Sequence, residues 1–255
     1  MISGNMNKLA WNVAVCASFA CLIYLPAMDR FTAKEGGGDY WTLLTLMPSG
    51  IFWTLMVTTF GSLSAISLGF LVGLGKLSRI PTIRFVMSFY TEILRGAPLL
   101  VLLFYIYYAL GEFFHIPAFL AAVSGFGLSY GAYMADVFRA GVQSIPKDQI
   151  EAARSLGMSS RQATHKIILP QALQTIVPAI GNQTLGMLKD TSLVSVLAIS
   201  DILRIGNEYA TKHFNYFETY TFVALTYLTL TLVMSRIVLR LENRWKIPGR
   251  AIKVI

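Results

Sequence analysis

Apolar positions in this chain fall in long uncharged runs, not in amphipathic stripes. They cover residues 9–28, 51–75, 96–111, 116–135, 167–188 and 219–235. A helix needs about 20 apolar residues to cross a bilayer, within a range of roughly 17 to 25, so each run is read as one membrane span and the third and sixth stand at the short end. The pattern predicts an all-α, polytopic bundle of about six transmembrane helices. The first run follows Lys8 and in that respect resembles a signal peptide; its length exceeds a usual signal core, which predicts a retained helix. A seventh stretch, 191–200, is apolar but only about ten residues long, which predicts a re-entrant or interfacial segment.

Composition sharpens this picture. Hydrophobic residues make up 55% of the 255 and charged residues 13%, too few charges to cover a soluble globule and too much apolar surface for a disordered chain. The net charge of +8 would suggest nucleic acid in a soluble protein. With six spans, however, sixteen of the 21 Lys and Arg residues fall on one side and five (Arg30, Lys34, Lys189, Arg204 and Lys212) on the other. The positive-inside rule then puts both termini in the cytoplasm and the 29–49 loop outside, and no motive for nucleic-acid binding remains. The expected organisation is an N-terminal helix and external loop over 1–48, a transmembrane domain over 49–246 with a cytoplasmic loop at 140–166, and a basic tail over 247–255.

Small residues and prolines distinguish the spans. Gly69 and Gly73 form a GxxxG in the second and Gly127 and Gly131 another in the fourth, a spacing that lets helices approach closely in lipid. The fifth span carries Pro170, Pro178, Gln171, Gln174, Asn182 and Gln183. Broken backbone and polar side chains at membrane depth need partners inside protein or a wet cavity, so this span is expected to line a path.

Several chemistries fail on inspection. Gly127-Leu128-Ser129-Tyr130-Gly131 fits the GxSxG of serine hydrolases, but His115, His165 and His213 all fall in loops, leaving Ser129 without a base at depth. Cys16 and Cys21 lie on different helix faces, and no His/Cys ligand set or HExxH occurs, so no metal or other cofactor is expected. The glycine-rich stretch ending in Gly75-Lys76 has Phe70 and Leu77 where a phosphate loop needs Gly and Ser or Thr. The Asn182-Gln183-Thr184 sequon lies inside a span. A passive channel would need an acidic ring or carbonyl filter, and none is evident.

The loop between the fourth and fifth spans has a helical pattern of its own. Pro146 suits a first turn, Asp148 and Glu151 complement a helix N-terminus, and Ile150, Ala153 and Leu156 share a face. Gly157 suits a left-handed C-cap, and Ser159 or Ser160 can cap a following helix leading through Ala163 and Ile167 into the fifth span. Periodicity alone leaves open whether this helix rests on lipid or on another protein.

The residues themselves narrow that choice. Glu151-Ala152-Ala153, then Gly157, Ile167 and Leu169-Pro170, resembles the EAA signature of ABC importer permeases. Segments 92–100, 133–141 and 189–195 look like the polar amino-acid subfamily, with Ala97 and Asp136 as departures from the usual Thr and Glu. The resemblance covers roughly 50–244; the 9–28 helix exceeds the five-helix core common in the subfamily.

This resemblance implies a non-enzymatic permease of the bacterial cytoplasmic (inner) membrane, paired with a second identical or homologous permease subunit. Two cytoplasmic ABC ATPase subunits would hydrolyse ATP, and an external amino-acid-binding protein would deliver a polar or charged amino acid. An opine, a sulfur-containing amino acid or another small solute is the alternative cargo. Glu151, Ala152, Ala153, Leu156 and Gly157 are the expected ATPase-coupling residues. Asn182, Gln183, Asp190, Thr191 and Ser192 are the expected substrate-path residues. Glu92 and Arg95 are expected to pair structurally or to anchor the interface.

Overall fold

The computed structural model describes residues 2–32 and 39–245, with side chains over 10–26 and 40–243; the basic tail and the side chains of Lys8, Arg30 and Lys34 lie outside them. Among the described residues the regular structure is entirely helical. In chain order it comprises α1 (Ile2–Thr32), α2 (Asp39–Lys76), α3 (Pro81–Gly96), α4 (Leu99–Phe104), a π-turn (Tyr105–Ala109) and α5 (Gly111–Phe114). There follow α6 (Ala118–Gln143), α7 (Lys147–Ser155), α8 (Ser160–Ala163), a second π-turn (Thr164–Ile168), α9 (Leu169–Asp190), a 3-10 helix (Thr191–Leu197), α10 (Ile202–His213) and α11 (Tyr216–Trp245).

Among the described residues, three stretches are long and apolar enough to cross a membrane: Tyr40–Lys76, Ala118–Gln143 and Tyr216–Asn243. A fourth is available if Pro81–Gly96 and Leu99–Phe114, bent by 101° at Ala97-Pro98, make one broken span; Ala10–Pro26 is a shorter apolar helix. The bend is local chemistry: Pro98 disfavours a helical Ala97, which is extended at φ −84, ψ 131. One boundary differs from the sequence reading. Residues 39–49, expected in an external loop, are the start of α2, because Tyr40, Leu43, Leu44, Met47 and Ile51 recur at helical spacing and pack into a core. Pro48 stands inside that helix, where Ser49 Oγ donates to the Leu46 carbonyl at 2.9 Å.

The chain divides into two compact units. One contains, of the described residues, 2–32, 39–59 and 188–236. Its core gathers Leu43, Met47, Ile202, Tyr209, Phe222 and Val223, with Leu22, Leu203 and Tyr227 against them. Here α1 is tied to α11: Arg236 lies 3.9 Å over the Trp11 ring and donates to Asn12 Oδ1.

The other unit contains, of the described residues, 60–187 and 237–245. Its core includes Leu103, Ala121, Ala122, Phe126, Met134 and Met187. The helices that carry the two GxxxG motifs meet here, with Gly69 against Gly131 and Gly127 against Ser64. A Cβ added to Gly69 would lie 2.6 Å from Met134 Cβ and 3.0 Å from the Gly131 carbonyl oxygen, and Gly73 is similarly closed by Phe138 and Ala135. Helix α3 packs along α6, with Thr91 buried and the Tyr90 hydroxyl donating to the Leu128 carbonyl at 2.7 Å.

Candidate functional site

The loop that carries the EAA-like residues is built from two well-punctuated helix ends. Pro146 is extended (φ −57, ψ 137) and launches α7, with Asp148 in its first turn. At the other end the Met158 amide donates to the Ala153 carbonyl at 3.1 Å and the Gly157 amide to the Arg154 carbonyl at 2.9 Å. These are the paired bonds of a Schellman cap, and Gly157 takes the left-handed conformation the cap requires, at φ +77. Ser159 then starts α8 with a reciprocal capping box: its Oγ accepts from the Gln162 amide at 3.2 Å while Gln162 Oε1 accepts from the Ser159 amide at 2.8 Å.

The expected coupling residues separate by exposure. Ala153 is buried and Ile150 half-buried, fixing α7 to its own unit, whereas Glu151, Ala152 and Gly157 are exposed. Leu156 does not share the inward face of Ile150 and Ala153: it follows the last helical residue and is 82% exposed. A Cβ on Gly157 would meet open space. The loop therefore turns Glu151, Ala152 and Leu156 outward, together with the exposed Lys147, Asp148 and Arg154. Behind it, Gln171 Nε2 donates to Gln149 Oε1 at 2.7 Å and to the Ile167 carbonyl at 3.1 Å, joining α7 to the foot of α9.

The expected path residues lie on α9 and the 3-10 helix after it. Asn182 is exposed and Gln183 half-buried; on the same helix Gln174 Nε2 is buried without a hydrogen-bond partner. Asp190 is exposed and Ser192 half-buried, with Ser192 Oγ donating to the Lys189 carbonyl at 3.0 Å. Thr191 is buried, its hydroxyl donating to the Leu188 carbonyl at 2.6 Å. Arg95 does pair structurally, and its partner is Asp136 at 2.6 Å.

Sequence reasoning missed a polar centre in the first unit. Asp201, fully buried, caps α10 by accepting from the Leu203 amide at 3.2 Å and the Arg204 amide at 3.0 Å, and the Tyr227 hydroxyl donates to its Oδ2 at 3.1 Å. Thr54 and Thr191 also hydrogen-bond Tyr227. Burial pushes the Asp201 carboxyl up to about 6, against the opposing pull of these bonds. An acid directly before an apolar helical run is a cap signal that could have flagged it; its burial could not be read from local pattern. Among the described residues no group of three or more His, Cys, Asp or Glu is placed to hold a metal ion.

Comparisons with known proteins bear on this arrangement. The family described as binding-protein-dependent transport system inner membrane component matches residues 65–247. The probable amino-acid permease protein YxeN of Bacillus subtilis is 38% identical over 198 residues, covering 76% of this chain and 87% of its own length. The glutamine transport system permease protein GlnP of Escherichia coli is 35% identical, covering 81% and 96%. Among solved structures, an amino acid ABC transporter crystallised with histidines aligns with a TM-score of 0.74 at 39% identity, covering 79% of this chain and 94% of that one. The MetNI methionine ABC transporter shares the fold at a TM-score of 0.70 and 20% identity.

Proposed function

Since this chain belongs to the family of binding-protein-dependent transport system inner membrane components, we propose that it is the permease subunit of an ATP-driven importer for a polar or charged amino acid. The observation that carries the substrate class is the likeness, at 35% identity or more over most of the chain, to a glutamine permease and an amino-acid permease. In this reading both termini are cytoplasmic, as the basic asymmetry favours, and six helices cross the membrane. A second permease subunit completes the path, an external binding protein delivers the amino acid, and two cytoplasmic ATPases drive closure.

The geometry supports a division of labour. The α7 surface, with Glu151, Ala152 and Leu156 outward and Ala153 holding it from behind, is the seat for an ATPase groove. Force applied there reaches α9 through the Gln149–Gln171 bond and through the short α8 and π-turn that run into it. Asn182, Gln183, Asp190, Thr191 and Ser192 follow along α9 and its 3-10 continuation and serve the substrate path, where polar groups favour an amino-acid zwitterion over lipid. Interconversion of two packed arrangements would alternate access.

The test is uptake of a panel of labelled amino acids into vesicles containing this chain, its ATPase and its binding protein. Uptake of a polar or charged amino acid that requires internal ATP is the expected result. Uptake that persists without ATP would indicate a passive pore, and uptake restricted to a non-amino-acid solute would refute the substrate class.

A further inference from the structure

Helix α3 has three faces: one packed against this chain, one apolar and exposed, and one charged. At 100° per residue, Met87, Tyr90, Thr91 and Leu94 fall on one side and pack inward. Phe85, Val86, Phe89 and Ile93 fall on a second side and are 48 to 69% exposed, with the Phe85 and Phe89 rings stacked 6.2 Å apart. Arg84, Ser88, Glu92 and Arg95 form the third. A helix divided among protein, apolar and charged faces suits the boundary between lipid tails and headgroups, and the 101° bend at Ala97-Pro98 turns it sharply away from the segment that follows.

Beside the charged face lies an uneven ion cluster. Lys76 Nζ at the end of α2 is 2.8 Å from Asp136 Oδ1, Arg95 Nη1 at the end of α3 is 2.6 Å from Oδ2, and Arg139 Nε is 3.5 Å from Oδ1. Lys76 Nζ also donates to Thr91 Oγ1 at 2.8 Å and its side chain is only 10% exposed, while Arg95 lies 5.2 Å from the Tyr133 ring centroid. Three cations share a single carboxylate, which leaves an excess of two positive charges held at fixed positions. Arg139 Nε is buried and has no hydrogen-bond acceptor. The Arg95 and Arg139 side chains remain 49% and 41% exposed, open to a further anion.

We propose that α3 lies in the cytoplasmic leaflet and that Arg95 and Arg139, with the mostly buried Lys76 behind them on Asp136, bind the phosphate of an anionic phospholipid, whose acyl chains cover the Phe85–Phe89 face. Charge complementarity selects the occupant: the excess is positive, the neighbouring face is apolar, and an anionic lipid supplies both matching halves in one molecule. Asp136 acts as the spacer that keeps three cations together when the lipid is absent. The leaflet rests on the topology proposed above; the binding site does not.

The test is lipid retention by the purified full chain, read by native mass spectrometry after exposure to phosphatidylglycerol or phosphatidylcholine. Wild type should retain phosphatidylglycerol preferentially. Arg95→Gln and Arg139→Gln should each lower that retention about fivefold, as expected for one basic residue at an anionic surface, while Arg95→Lys keeps most of it and phosphatidylcholine is unaffected. Equal retention of both lipids, unchanged retention in both Gln variants, or displacement of the lipid by inorganic phosphate at equal concentration would overturn the assignment. A second measurement addresses the apolar face: with Cys16 and Cys21 replaced by Ser, a fluorophore on Phe89→Cys should be quenched by a lipid carrying a nitroxide near its headgroup. Disulfide formation between two Phe89→Cys chains in the membrane, in place of quenching, would mean that a second copy covers the face and would likewise overturn it. Because neither measurement involves transport, failure here leaves the permease reading standing, and failure of uptake leaves the lipid site testable.

Discussion

Gly69 of α2 sits directly against the backbone of Gly131 on α6, with room for no side chain between them. The atoms that would obstruct a Cβ are Met134 Cβ at 2.6 Å, the Gly131 carbonyl oxygen at 3.0 Å and the Ala135 amide nitrogen at 3.1 Å. None is the free end of a flexible chain, so the helices must part for any larger residue. Gly69→Ala should destabilise the chain by about 1–3 kcal/mol and Gly69→Val by more. Thermal melting in detergent would register this as a stepwise fall in midpoint; an unchanged melt for Gly69→Val would mean that the helices are not in contact.

A pH effect should follow from Asp201. Its carboxyl stands at about 6 in the fold against 3.8 for the free side chain, so folding favours the protonated form. That contribution is complete below about pH 4 and is lost as pH rises through about 6, an upper size on the order of 3 kcal/mol. Asp201→Asn keeps an N-cap acceptor and removes the titration. The difference in melting temperature, variant minus wild type, should therefore grow in the variant's favour between roughly pH 4 and pH 7. A difference independent of pH would show that Asp201 does not titrate in that range.

The cytoplasmic helix pair was legible in the sequence because its punctuation is local. Pro146, Gly157 and Ser159 each fix a backbone feature within a few residues; Gly157 and Ser159 take the conformations expected of them, and Pro146, expected in the first turn, stands one residue earlier as the extended N-cap. The two GxxxG motifs announce close packing, but that Gly69 meets Gly131 while Gly73 and Gly127 pack on Ala135 and Ser64 is a tertiary fact. Helix α3 escaped because uncharged runs were the criterion for a span, and Arg84, Glu92 and Arg95 interrupt its apolar face. Likewise, the periodicity that puts Leu156 on one face with Ile150 and Ala153 ends one residue before it. Asp201 was invisible for a different reason: its partner Tyr227 and the Thr54 that bonds Tyr227 come from α11 and α2, far away in sequence.

Purified alone, the chain should show no saturable ATP binding. A phosphate loop presents free backbone amides in an irregular turn, whereas Gly69 to Lys76 is continuous helix with Phe70 packed edge-on to Phe138 at 5.5 Å. Equilibrium binding of a fluorescent nucleotide tests this, and a saturable isotherm would contradict it.

Gly157 and Glu151 offer the sharpest test of coupling, because the structure separates their roles from the stability of the fold. A side chain at Gly157 meets open space within the chain, so its intrinsic cost is the left-handed backbone alone, on the order of 1–2 kcal/mol. Glu151 is exposed, and its substitution leaves the Schellman cap intact. Neither change should therefore prevent membrane insertion. If α7 sits in an ATPase groove, Gly157→Asp adds a carboxylate to a close contact, and Glu151→Lys reverses a charge that a basic partner would meet, a loss of about 1–3 kcal/mol. Both variants should copurify poorly with the ATPase, or hydrolyse ATP without transport. If α7 instead rested on anionic lipid, Glu151→Lys should be harmless or favourable. Assembly, ATP turnover and uptake measured together in reconstituted vesicles distinguish these outcomes, and coupled wild-type transport in both variants would remove α7 from the coupling path.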